Sequence, residues 1–207
     1  PSLYRAVERR WMASAIAAAA REVLKATPKP KQFHEIFAQV APGVAAGDQS
    51  LALDFQTASG TADLDLQTLT LTDLQLGISS GKAVVKLPAG SGTKYGADLQ
   101  LSSGDLEVQA AAGAQIGMKV DISSGDASVT LGDGSDVDVD FHGSSGQFTL
   151  HLAPGQACRV EVRQVSSGDV HLPSGFVRTS GEGKEGTWET ENYASAAHKV
   201  LLTVEIS

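Results

Sequence analysis

Three aspartates invite a metal reading. Asp105, Asp126 and Asp169 each directly follow a Ser-Ser-Gly triplet, and stacked carboxylates supply the hard oxygens that Ca²⁺ requires. Lys82 and Gln147 hold the equivalent positions after two other triplets, so the column is interrupted and a solvated acidic edge is the better reading. A second acidic stretch runs from Asp133 to Asp140. It lacks the EF-hand spacing and the Gly-Gly-x-Gly-x-Asp nonapeptide of calcium-binding β-rolls. Its Asp136, Asp138 and Asp140 alternate with Val137, Val139 and Phe141, as the outward residues of a strand do. Five histidines (His34, His142, His151, His171 and His198) show no metal-ligand spacing. The triplet serines sit in no Gly-x-Ser-x-Gly elbow, and five equal copies suit a structural corner better than a single nucleophile. The lone Cys158 cannot form an internal disulfide and reads as a small buried hydrophobe. No catalytic residue, metal or cofactor is expected.

The elements that position these residues follow from a repeat. Gly60, Gly81, Gly104, Gly125, Gly146 and Gly168 are separated by 21, 23, 21, 21 and 22 residues. The last five close identical triplets, ending in Ser80-Gly81, Ser103-Gly104, Ser124-Gly125, Ser145-Gly146 and Ser167-Gly168; the first is the variant Ala58-Ser59-Gly60. A fixed period near 21 marks a stacked repeat. After each glycine, apolar residues fall at every second position: Ala83, Val85 and Leu87; Leu106, Val108 and Ala110; Ala127, Val129 and Leu131; Phe148, Leu150 and Leu152; Val170 and Leu172. That is the apolar-in, polar-out alternation of strands. A Gly/Pro turn follows, and then a second strand returns to the next triplet. Identical corners at identical offsets stack when each repeat lies directly on the last, whereas a hairpin meander needs no such equality. The expected fold is mainly β: a parallel β-helix of about six coils, each near 21 residues, with Gly supplying positive φ at the corners and Ser bonding neighbouring backbone.

Residues 1–47 read as a separate helical segment and 48–207 as the β-helix domain. Residues 3–26 are Ala-rich, contain no Gly or Pro, and stop before Pro28 and Pro30; a second short helix is expected near 31–40. Residues 1–31 carry seven Lys/Arg and two Glu, whereas 32–207 carry 9 Lys/Arg and 22 Asp/Glu. The acidic body excludes a nucleic-acid surface, which selects basic residues. The basic arm suits a cap on the first coil, a contact with an anionic membrane, or a segment that follows a missing upstream span. The uncharged run Trp11–Ala20 has ten residues, half of what a bilayer requires, and no signal-peptide pattern is present. Because the chain begins at Pro1, residues are expected upstream. Val200, Leu202, Val204 and Ile206 alternate as one further strand at the far end of the rod. That pattern breaks off at Ser207, so more chain is expected beyond it.

The run LGISSGKAVVKLP (Leu76–Pro88) and the repeats LSSGDLEV, ISSGDASV and VSSGDVHLP resemble the bacterial putative-adhesin repeat family known as toastrack. They are similar to the C-terminal domain of LiaF-type cell-wall-active antibiotic response proteins. The resemblance covers about residues 60–207, including the ending with Trp188 and Tyr193. It implies a right-handed single-stranded β-helix in the bacterial cell envelope, with no established catalytic residues. The expected role is therefore a non-enzymatic envelope module, a rigid acidic rod for binding, adhesion or stress sensing. Its protein or envelope partner and its oligomeric state are not fixed by the sequence. The alternatives are a self-assembling scaffold like the bactofilins and, further off, a polysaccharide-active enzyme, for which about six coils are few.

Overall fold

The computed structural model describes residues 50–90 and 92–207, and among these there are strands and turns but no helix. The two expected N-terminal helices and the 1–47 segment lie outside the described residues.

Fourteen strands follow one another: β1 (Ser50–Thr57), β2 (Thr61–Asp65), β3 (Thr70–Ile78), β4 (Lys82–Leu87), β5 (Tyr95–Leu101), β6 (Asp105–Ala110), β7 (Gln115–Ile122), β8 (Asp126–Leu131), β9 (Asp136–Gly143), β10 (Gln147–His151), β11 (Ala157–Val165), β12 (Phe176–Ser180), β13 (Gly186–Thr190) and β14 (Lys199–Ile206). Odd strands from β1 to β9 pair in parallel with the next odd strand, and even strands from β2 to β10 with the next even one. Each coil therefore spends one strand in each of two facing sheets, and the pairs β1–β2 to β9–β10 make a β-solenoid of five turns.

The interior is built from columns of like residues. Leu64, Val85, Val108, Val129 and Leu150 stand in register on the smaller sheet. Leu53, Leu74, Ala97, Met118 and Val139 do so on the larger. Apart from the partly buried Leu150, all of these are buried in one continuous core. A buried Leu or Val side chain contributes about 1.5–3 kcal/mol, so the period-2 pattern is what holds the coils together.

The far end departs from the expected rod. The larger sheet continues past β9 in the order β14, β11, β13, β12, while the smaller sheet stops at β10. β14 is not a terminal strand: it lies between β9 and β11, parallel to both. Val200, Leu202 and Val204 continue the interior columns between Val137, Val139 and Phe141 on one side and Cys158, Val160 and Val162 on the other. Among the described residues the expected sixth coil is consequently not formed. With β14 interposed, β11 sits one strand spacing farther out, about 4.8 Å, and residues 169–172 form no strand on β10. The antiparallel hairpin of β12 and β13 covers the outer edge of β11. It is fastened by Arg178 over the Trp188 ring at 4.9 Å and by Arg159 over Tyr193 at 4.6 Å.

Candidate functional site

The corner residues come together as a stack. The hydroxyls of Ser80, Ser103, Ser124 and Ser145 donate to the carbonyls of Ala58, Ser79, Ser102 and Ser123 in the coil before, at 3.0, 3.2, 3.3 and 2.9 Å. Gly81, Gly104, Gly125 and Gly146 adopt φ of 115°, 109°, 107° and 109°, and a Cβ on any of them would be driven into the carbonyl oxygen of the glycine below. Each glycine carbonyl also accepts the first N–H of the next coil's strand, from Lys82 on Gly60 through Gln147 on Gly125, at 2.8–3.0 Å. The series stops there: among the described residues no such N–H reaches Gly146. Ser167 continues the serine column one layer farther out, over Ser207, whereas Gly168 does not stack on Gly146. The Ser167 hydroxyl donates to Ser207 at 3.3 Å, and nothing lies near a Cβ built on Gly168.

The candidate metal ligands are not gathered. Asp105 and Asp126 face each other across a rung, flanked in register by Lys82 and Gln147. Asp169 is elsewhere, held 2.9 Å from Lys184 Nζ, whose hydrogen bond and charge keep its carboxyl below the ordinary aspartate range. Asp136 and Asp138 project outward from β9 to Lys94 Nζ at 3.1 and 2.9 Å. Partial burial acts to lower the Lys94 pKa, but these two carboxylates outweigh it and raise it. Among the described residues, no group of three or more His, Cys, Asp and Glu is arranged to hold a metal ion.

Two arrangements escaped sequence reasoning, both because β14 pairs with strands far away in the chain. His142 on β9 lies between Asp121 on β7, at 3.5 Å, and Glu205 on β14, at 3.3 Å. Arg163 also approaches Glu205, at 3.8 Å. The other arrangement is a cleft of about 930 Å³ where the smaller sheet stops. Its floor is the inner face of β14 and β11, with Leu202, Val204 and Val160. Phe148 and Leu150 of β10 form one wall, and Val170 and Leu172 the other. Phe148 stacks on Phe141 with ring centroids 4.4 Å apart, which fixes the first wall. His151 and His171 stand at the rim. The histidines thus meet no common ligand; His198 contributes its carbonyl, which accepts from Gln156 Nε2 at 3.4 Å.

Cys158 also borders the cleft, yet it is fully buried, and burial pushes its thiol up to about 12. Thiolate is the reactive form. At pH 8 an aromatic disulfide reagent should therefore modify less than about a tenth of the native protein in an hour, and all of it in denaturant. Stoichiometric labelling of native protein within minutes would show that the floor of the cleft opens.

No curated protein and no solved structure matches the chain. The Toastrack DUF4097 family matches residues 43–205, nearly the whole of the solenoid with its inserted β14. The chain belongs to the Toastrack DUF4097 family.

Proposed function

We propose that this β-solenoid is a non-enzymatic binding module of the bacterial cell envelope. The observation that carries the reading is the uniformity of the coils. The interior is closed by aliphatic columns, and the repeated serines are spent on corner hydrogen bonds. What breaks the uniformity is an apolar cleft rather than a cluster of acid, base and nucleophile. A glycosidase needs two carboxyl groups facing one bond, and the nearest carboxylate of the cleft, Asp169, is engaged by Lys184. End-to-end scaffold assembly is the second reading. The β12–β13 hairpin weighs against it, because an end-to-end polymer needs a free parallel edge and the hairpin is antiparallel.

Fractionation of the bacterium that produces the protein, followed by quantitative detection, tests the reading. The protein should sediment with the envelope, and envelope material should compete saturably for its binding. Recovery wholly in the cytosolic fraction would sink the location, and turnover on a glycan panel would sink the non-enzymatic claim. Filaments in light scattering and electron microscopy would favour the scaffold instead.

A further inference from the structure

A line of charges crosses the outer face of the larger sheet where β14 enters it. Five side chains stand in sequence across four adjacent strands: Lys119 and Asp121 on β7, His142 on β9, Glu205 on β14 and Arg163 on β11. His142 is in register with Asp121 on one side and with Glu205 on the other. Each carboxylate is shared. Asp121 gives one oxygen to Lys119 Nζ at 2.6 Å and turns the other to His142 Nδ1 at 3.5 Å. Glu205 turns one oxygen to His142 Nε2 at 3.3 Å and the other to Arg163 at 3.8 Å. Of the five residue types, histidine is the one that changes charge between pH 5 and 8.

The surroundings of the ring are complementary to two protons. A neutral imidazole has one N–H and one lone pair, whereas an ionised carboxylate only accepts. With a carboxylate oxygen facing each ring nitrogen, either neutral tautomer aims a lone pair at an anion, and the imidazolium donates on both sides. Among the described residues Nδ1 is buried without another partner. The wider field has the same sign. Asp140 precedes His142 on the same face of β9, with one oxygen buried and unpartnered. On β11, Glu161 lies 4.0 Å from Arg163. The Asp121 hydrogen bond and charge hold the Lys119 ammonium above the ordinary lysine range, so Lys119 keeps its charge throughout. Asp121, Asp140, Glu161 and Glu205 thus outnumber Lys119 and Arg163, and Thr203 and Gln164 add no charge.

We infer that His142 is a proton-operated fastening for β14: its imidazolium ties the interposed strand to β9, and loss of the proton slackens the tie. The fastening selects β14. At the register position of Glu205, β11 carries Gln164, so β11 laid directly on β9 in the same columns would set an uncharged amide against His142. Asp121 acts from the far side as a positioning residue, fixing the ring with Nε2 toward β14. Because the folded sheet holds the extra proton, the stabilisation is complete at acidic pH and fades as pH rises through the range in which histidine discharges.

Amide hydrogen exchange on the full 207-residue chain tests this. Protection at residues 200–206 is read as a ratio to protection in β5, which lies in the same sheet and cancels the intrinsic pH dependence of exchange. Between pH 5.5 and 7.5, where carboxyl groups stay ionised, the ratio should fall about threefold, the size of one opposed cross-strand charge pair. His142→Gln and, independently, Glu205→Gln should make the ratio the same at both pH values. His142 and Glu205 are 36% and 37% exposed, so neither change opens the core. A parent ratio that is flat or rises with pH overturns the inference. So does a fall that persists in either variant, which would assign the pH dependence to His151, His171 or another titrating group.

Discussion

Gly104→Ala should cost the solenoid about 4 kcal/mol or more, whereas Gly60→Ala should cost about 1–2 kcal/mol. The two glycines have nearly the same backbone, φ of 109° and 113°, so the conformational strain of an L side chain is common to both. They differ in what lies below. A Cβ on Gly104 is driven into the backbone of Gly81, and one on Gly60 meets nothing within 4 Å. Backbone cannot step aside as a flexible side chain can, so the coils must part. The same carbonyl that would be struck accepts the Asp105 N–H at 2.8 Å, and that bond is strained with it. Gly104 sits in the middle of the stack, and nearest-neighbour stability means that a broken interior interface uncouples the coils on either side. Urea unfolding of the two variants beside the parent checks the ranking. Equal midpoints for Gly104→Ala and Gly60→Ala would show that the corners do not stack.

The same comparison shows what the sequence could and could not reveal. The spacing of Gly60 to Gly146 reports a local requirement, positive φ at a corner, repeated wherever one coil lies on another. Local requirements leave local marks. Ser166-Ser167-Gly168 carries the identical mark, and Gly168 is at φ 85°, yet it does not stack on Gly146. Position along the rod depends on what is interposed, and that is decided by a strand about 30 residues further on. The alternation of Val200 to Ile206 states that a strand forms and which face is apolar. It cannot say which column the strand completes, because Val and Leu fit any of them. Asp169 inherits the error: its offset from glycine matches Asp105 and Asp126, but it belongs to a different layer and pairs with Lys184. The His142–Asp121–Glu205 contact was invisible for the same reason. The cleft lies where β14 is added to the larger sheet while no described strand is added to the smaller one, and no property of the lining residues themselves announces it.

Removal of residues 199–207 should not simply release the distal end; it should convert the molecule into the six-coil rod that the repeat specifies. Without β14, the column of Val137, Val139 and Phe141 loses Val200, Leu202 and Val204, all buried. At about 1.5–3 kcal/mol each, that is a large loss. β11 offers a replacement in the same direction and phase, since Cys158, Val160 and Val162 already occupy those columns one rung out. Moving it inward would set Gly168 over Gly146 and bring Val170 and Leu172 beside Phe148 and Leu150. The turn between β10 and β11, residues 152–156, spans two rungs now and can span one. The variant should therefore remain folded, with a lower urea midpoint than the parent. Its Phe148 and Leu150 amides should become protected as residues 169–172 come to lie beside them. Limited proteolysis that leaves coils one to five intact but digests 157–190 would refute this. It would mean that β14 is the only strand able to hold the distal end, rather than a wedge between two parts that otherwise fit each other.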